Sequence, residues 1–161
     1  MTTVRIYRGL PGSGKSTAIK KWITEQGSKI RTKIFSADDF WIDPETNEYK
    51  FDPARIGEAH MRCFEDFLGT SICFSLGSIP LDYLIIDNTN IRSYEIAPYV
   101  MAANVSRFPC EIITLWADPI VAIKRNIHGV PPQVVLGMYS AMLEEKLPTF
   151  WKQSVLLEGS T

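Results

Sequence analysis

Residues Gly9-Leu10-Pro11-Gly12-Ser13-Gly14-Lys15-Ser16 satisfy G-x-x-x-x-G-K-[ST] without a mismatch and follow the strand-like run Val4-Arg5-Ile6-Tyr7-Arg8. Glycines at 9, 12 and 14 let the backbone bend so that successive N–H groups point inward and phosphate oxygens approach closely. The loop reads as an anion cradle. Beyond it, Ala18, Ile19, Trp22 and Ile23 are spaced for a helix, whose positive dipole end would face the same phosphates. Lys15 is placed to reach the β and γ phosphates of a nucleoside triphosphate. Ser16 is the expected Mg²⁺ ligand, since this hard cation takes hydroxyl or carboxylate oxygen and keeps most of its waters. The nucleotide contacts expected are Gly9, Pro11, Gly12, Ser13, Gly14, Lys15, Ser16 and Thr17.

Carboxylates follow two further apolar runs. One run ends at Ser36-Ala37-Asp38-Asp39, and Leu84-Ile85-Ile86 ends at Asp87-Asn88-Thr89-Asn90. An acid at the end of an apolar strand in a phosphate-loop protein serves the metal, the role assigned to Asp87. Asp38 is then the candidate general base for an acceptor hydroxyl, with helix capping or a turn as the alternative for Asp38 or Asp39. Trp41, Thr89 and Asn90 are the neighbouring candidates for substrate contact, while Asp39 and Asn88 read as structural or substrate contacts. Lys124-Arg125-Asn126 end a short helical stretch, and Ile127-His128-Gly129-Val130-Pro131-Pro132 have the length and glycine of a closing loop. Arg125 has a planar fork suited to phosphate oxygens, and its alternative reading is a cation favoured at a helix C-terminus. His60 and Cys63 share a helical face, and without further convergent ligands they read as core residues.

These groups need elements that bring them to one place. Strand-like runs recur at 4–8, 33–36, 83–86, 110–116 and 154–157, alternating with helical stretches at 16–26, 54–68, 94–104, 120–126 and 133–146. That alternation predicts an α/β domain. With the phosphate loop it predicts a three-layer P-loop kinase fold, with a mostly parallel five-stranded sheet and a helical lid. Asp118-Pro119 reads as an N-cap with proline at the first helical position, Pro131-Pro132 as a second helix start, and Pro148 as the stop that follows. The polar segment 43–51 reads as a surface excursion or short hairpin. In open α/β sheets, ligands gather beyond the carboxyl ends of the strands, where both aspartates fall.

Size and charge narrow the classes. The 161 residues (18.2 kDa) suit one domain that buries about two thirds of its unfolded surface. A net charge of −1 gives no global basic field, so any nucleic acid must be gripped locally. Arg55, Arg62 and Arg92 are possible backbone contacts, although scattered arginines are usually just solvated. Three cysteines without a C-x-x-C pair, and no apolar signal segment, lead us to expect a reducing cytoplasm. No apolar run approaches the roughly 18 residues of a membrane span.

Over 4–150, the ordered combination G-L-P-G-S-G-K-S-T, S-A-D-D-F, I-I-D-N-T-N, K-R-N-I-H-G-V-P and M-Y-S-A-M resembles the phage polynucleotide 5′-hydroxyl kinase domain. It also resembles the related kinase domain of certain eukaryotic ubiquitin-ligase-binding proteins, which share A-D-D-F, Y-x-F-D-P, E-A-H and R-N-I-H-G-V stretches. The resemblance implies phosphorylation of a DNA or RNA 5′-hydroxyl by ATP with Mg²⁺. By position it implies phosphate and metal contacts for Lys15 and Ser16, the base for Asp38, the active-site acid for Asp87 and a lid arginine for Arg125.

Two departures affect the grip on substrate. Trp41 stands where that family has an arginine, and His128-Gly129 replace a second lid arginine in a shorter loop. Trp41 is read either as a stacking surface for a base or sugar, or with Phe40 as core cover. A protonated His128 is the available substitute, although an exposed imidazole is mostly neutral at pH 7. The absence of a D-x-D-G-T motif leads us to expect no 3′-phosphatase activity. The competing functions are a small-molecule kinase for a nucleotide, sugar or antibiotic hydroxyl, and a non-catalytic nucleotide-dependent binding module.

Overall fold

Alternation of side chains along β1 (Thr3–Arg8) sends Val4 and Ile6 into one apolar layer and Tyr7 into another. The same split recurs in β3 (Tyr83–Asp87), where Leu84 and Ile86 face the first layer and Ile85 the second, and in β4 (Cys110–Trp116), where Ile112 and Ile113 divide likewise. Strands buried on both faces are what a parallel sheet needs. The computed structural model describes residues 1–75 and 81–157. Its sheet has the order β2-β3-β1-β4-β5, with β2 at Thr32–Phe35 and β5 at Gln153–Leu157, and every pairing is parallel.

One layer is formed by α2 (Ile56–Ser75) and α3 (Ser93–Val105), whose Ala59, Cys63, Phe67, Ile96, Tyr99 and Ala103 pack on the sheet. The other face is covered by α1 (Lys15–Gln26) through Ala18 and Ile19. A third cluster of Leu10, Ile91, Ala122, Val135 and Met142 joins α4 (Pro119–Arg125) and α5 (Pro132–Glu144) to the loop after β1. The three-layer α/β architecture is therefore present. Among the described residues no helix is long and apolar enough to cross a membrane.

Element starts follow the predicted signals. Asp118 caps α4 by accepting from the Ile120 and Val121 amides, and Pro132 occupies the first turn of α5. The segment after β2 does form a small hairpin, closed by an antiparallel bridge between Ile42 and Tyr49. The helix expected over 54–68 instead begins as a short 3₁₀ turn, Pro53–Arg55, and continues to Ser75. Gly69 was a natural stopping point. Burial of Phe67 and Ser71 carries the helix past it, and the Ser71 hydroxyl donates back to the Phe67 carbonyl at 2.9 Å.

Two polar side chains, Arg8 and Glu145, tie α5 to the segment after β3. Arg8, 3% exposed at the end of β1, donates to the carbonyls of Ile91 (2.9 Å) and Met142 (3.4 Å). Burial lowers its pKa, while Glu145 and Glu95 oppose the shift. Glu145, just after α5, accepts from the Ser93 amide at 2.8 Å and from Arg92 at 3.2 Å. Hydrogen bonds from Ser93, then Arg92, hold its carboxyl below the usual glutamate value. A depressed folded pKa gives stability that is complete above the unfolded value and is lost as pH falls through the folded one. Glu145→Gln is therefore expected to lower unfolding free energy by about 1 kcal/mol at pH 7. Urea unfolding at stepped pH should show that gap closing below the ordinary carboxylate range, and a pH-independent gap would refute the assignment.

Candidate nucleotide and acceptor site

The phosphate loop is shaped by a close backbone approach. Gly12 has φ +76°, and a Cβ there would stand 2.1 Å from the Ala122 carbonyl oxygen of α4. Only a residue lacking a side chain lets loop and α4 meet. Gly14, at φ +90°, precedes α1 without a side-chain cap, and the first turn contains no acid. First-turn amides have no intrahelical acceptor, so this end of α1 favours an anion.

Around that end the predicted groups come together. Ser16 Oγ donates to Asp87 Oδ2 at 2.6 Å, joining the loop to the end of β3. Lys15 is 9% exposed, and its Nζ donates to the carbonyls of Gly9 (3.0 Å) and Leu10 (2.9 Å). Burial lowers the ammonium pKa, while the charges of Asp87 and then Asp38 act to raise it. The Gly9 amide donates to the Thr89 carbonyl at 2.9 Å, which stitches the loop to the segment after β3.

Asp38 lies in a 3₁₀ turn, Ala37–Trp41, started by Ser36, whose Oγ accepts from the Asp38 amide. Asn88 sets that turn beside Asp87: its Oδ1 accepts from the Ala37 amide at 2.8 Å, and its Nδ2 approaches Cys63 Sγ at 3.4 Å. The Asp38 side chain remains half exposed. Tyr49 Oη donates to its Oδ1 at 3.2 Å, and His128 Nε2 stands 3.6 Å from its Oδ2. Asp39, next to it, has its pKa raised by loss of solvent and by the charges of Asp38, Asp87 and Asp66.

A cleft of about 480 Å³ adjoins the loop. Its walls include the apolar Ala18, Leu115, Trp116, Leu156 and Leu157, and its polar lining is Ser13, Gly14, Thr17, Lys21 and Arg125. Ser13 has a buried hydroxyl with no hydrogen-bond partner among the described residues. The cleft thus joins an apolar slot to the phosphate cradle, and Arg125 lines it from the end of α4.

Ser16 and Asp87 offer a hydroxyl and a carboxylate suited to magnesium. Among the described residues no group of three or more His, Cys, Asp or Glu converges as a protein-only metal cage. Magnesium needs none, because one carboxylate, a hydroxyl, waters and substrate phosphates satisfy it. Two hard oxygen donors already 2.6 Å apart fit that pattern.

The fold has parallels among solved structures. Gluconokinase from Sinorhizobium meliloti 1021 superposes with a TM-score of 0.61 at 11% identity, over 99% of this chain and 84% of that one. The Mycobacterium tuberculosis APS kinase CysC, in complex with AMPPNP and APS, gives 0.61 at 14% identity over 99% and 90%. Kti12 of Chaetomium thermophilum, in complex with ADP-AlF3, gives 0.58 at 14% identity over 98% and 90%. This is a P-loop kinase fold. In sequence, human NEDD4-binding protein 2 is 33% identical over 142 residues, which is 83% of this chain and 7% of that protein, so the chain spans a small fraction of this relative. No family model matches the chain.

Several residues take places in this P-loop kinase fold other than those expected. Trp41 is 5% exposed in the main core, its ring 4.8 Å from Phe40 and 5.1 Å from Phe51, both edge-on. That burial removes it from the acceptor contacts and leaves the core-cover reading. Asn90 is 2% exposed, at φ +48°, with Nδ2 donating to the Tyr7 carbonyl at 2.7 Å. It holds the backbone, not a substrate. Thr89 keeps a half-buried place at the strand end, with its carbonyl committed to the loop. Arg55, Arg62 and Arg92 each pair with an acid, Glu58, Glu65 and Glu145 respectively. Cys63 is a core residue, as its helical spacing suggested.

Sequence reasoning did not single out Tyr49, or Trp116, Leu156 and Leu157 in the cleft. Nothing in local periodicity marks them; their roles come from the hairpin and from the pairing of β5 on β4.

Two outcomes follow from this packing. Gly12→Ala should lose about 2 kcal/mol or more, since both the positive φ and the Ala122 carbonyl oppose a side chain. Urea unfolding and binding of a fluorescent ATP analogue would register both defects, and wild-type values in each would contradict the packing. Trp41→Ala should destabilise by about 3–5 kcal/mol as a core deletion, while Trp41→Phe retains much of the stability.

Proposed function

We propose that the chain is an ATP-dependent phosphotransferase that uses Mg²⁺ and delivers the γ-phosphoryl group to a 5′-hydroxyl of DNA or RNA. The observation that carries the chemistry is the convergence at one sheet edge of the loop with Lys15, the Ser16–Asp87 pair and a half-exposed Asp38. A protein that only bound nucleotide would have no need of the last. The acceptor assignment rests on the ordered motif resemblance from Ser36 to the Arg125–Pro131 segment.

In this reading the nucleoside packs in the apolar slot by Trp116 and Leu156, and its phosphates run along the amides of the α1 first turn. Lys15 turns from the Gly9 and Leu10 carbonyls onto the terminal phosphates. Magnesium, held by Ser16 and Asp87, supplies neutralisation of phosphate charge. Asp38 accepts the proton of the attacking hydroxyl as its oxygen bonds to phosphorus and the bond to the ADP oxygen breaks. Arg125, on the rim, is placed to offset charge on the transferring group. The cytoplasm remains the proposed location.

A second reading has specific support. The fold neighbours named gluconokinase and APS kinase carry names of small acceptors, and the chain is near neutral, with Arg55 and Arg62 paired to acids. That combination also suits a small-molecule hydroxyl kinase.

Transfer of labelled γ-phosphate to matched 5′-hydroxyl DNA and RNA oligonucleotides decides between them. Labelled ends, reduced by at least about 10²-fold in Asp38→Asn, are the expected result. ATP binding without labelled ends would overturn the polynucleotide reading and favour a small acceptor. Labelling that survives Asp38→Asn would overturn the base assignment.

A further inference from the structure

We propose that Tyr49 and His128 are positioning residues for Asp38, forming a clasp in which Tyr49 of the 42–49 hairpin holds Oδ1 and His128 of the loop after α4 flanks Oδ2. The inference rests on the reading of Asp38 as base, and extends it to two residues for which that reading has no role.

The clasp draws on three separate segments. Tyr49 Oη donates to Oδ1 of Asp38, and His128 Nε2 lies 3.6 Å from Oδ2, outside hydrogen-bond reach but next to it. The two rings also meet each other, with centroids 5.1 Å apart and planes inclined at 40°. Each contact is made by a segment with its own internal bracing. In the hairpin, Asp43 accepts from the Glu45 and Thr46 amides and from Lys50 Nζ, and the Lys50 amide donates to the carbonyl of buried Trp41. In the loop, Asn126 Oδ1 accepts from the His128 amide and its Nδ2 donates to the Val130 carbonyl.

This arrangement divides the work of the carboxylate. A phenol on Oδ1 fixes the side-chain orientation and leaves Oδ2, beside the imidazole, as the atom open to an acceptor hydroxyl. Burial and the adjacent Asp38 charge both raise the Tyr49 pKa, so it stays a donor. The His128 loop follows directly on α4, the helix whose Ala122 carbonyl lies against Gly12. The base and the phosphate loop are therefore braced through the same stretch of chain.

The test compares Tyr49→Phe, His128→Gln and the double variant in the full chain, by oligonucleotide phosphorylation and by hydrogen exchange of residues 126–130. Each single change is expected to lower kcat about tenfold, with KM for ATP unchanged. The double should fall by less than the product of the singles, because both act through one carboxylate. Amides in 126–130 should exchange several-fold faster in each variant and in Asp38→Asn. Wild-type kcat and wild-type exchange in both single variants would overturn the clasp. Equal losses in ATP affinity and kcat would do so too, since they mark a general structural defect. Faster exchange in a protein that labels no oligonucleotide would uphold the clasp and remove the polynucleotide reading. Asp38-dependent labelling indifferent to residues 49 and 128 would do the reverse.

Discussion

The buried amide of Asn88 governs how close the two aspartates of the sheet edge stand. Its Oδ1 takes the Ala37 amide and its Nδ2 reaches Cys63, so the turn carrying Asp38, the end of β3 and helix α2 are joined through one side chain. A buried amide with partners on both ends is costly to disturb, because each lost partner leaves a desolvated polar group. Next along the chain, Thr89 holds the phosphate loop through Gly9, and Asn90 holds the last turn of β1 through Tyr7. Three successive residues after β3 thus fasten the base turn, the loop and the central strand. The Asn88 and Asn90 side chains are spent on main-chain groups and Cys63, and both are buried, while Thr89 contributes its carbonyl.

The parallel sheet makes such fastening possible. With every strand running the same way, the carboxyl ends of β1, β2 and β3 fall at one edge; the connection from β1 crosses to β2 on one side, and that from β3 crosses back past β1 to β4 on the other. The loop after β1 is thereby the natural anion site, and acids at the ends of β2 and β3 flank it. On the other side, the close approach of Gly12 to Ala122 fixes α4, and with it Arg125, against the same loop. The segments carrying Arg125 and Thr89 are each tied to the phosphate loop by backbone contacts.

Much of this was legible in the residues themselves. Strand and helix positions followed from apolar periodicity and from the Asp118-Pro119 and Pro131-Pro132 starts, because burial and capping are local demands that a sequence displays directly. The phosphate loop and the acids at strand ends were legible for the same reason. What was not legible depends on contacts far apart in the chain. Whether Trp41 faces solvent or core is decided by Phe40, Phe51 and the α2 layer, none of which constrain its local spacing. Asn90 looked like a substrate contact because a polar residue at a strand end serves either purpose, and only the reach to the Tyr7 carbonyl separates them. The apolar wall from β5 likewise exists only once that strand pairs with β4.

Burial of Trp41 also changes how substrate recognition must be organised. With that ring in the core and Arg55 and Arg62 matched to acids, the acceptor side presents no isolated cation from those positions to grip a phosphate backbone. What surrounds Asp38 instead is a phenol, an imidazole, the acids Asp39 and Asp87, and the buried ammonium of Lys15. Such a surface recognises a neutral hydroxyl more readily than a phosphate-rich strand, since like charge repels the strand and the phenol and imidazole offer directed hydrogen bonds. A nucleic-acid acceptor would therefore be bound mainly at its terminal residue, with little electrostatic reach along the chain. In the proposed reaction, phosphate would be bound by the loop and α1 and the acceptor hydroxyl by the Asp38 turn, so the two substrates would be separated by the chemistry of the surfaces that meet them.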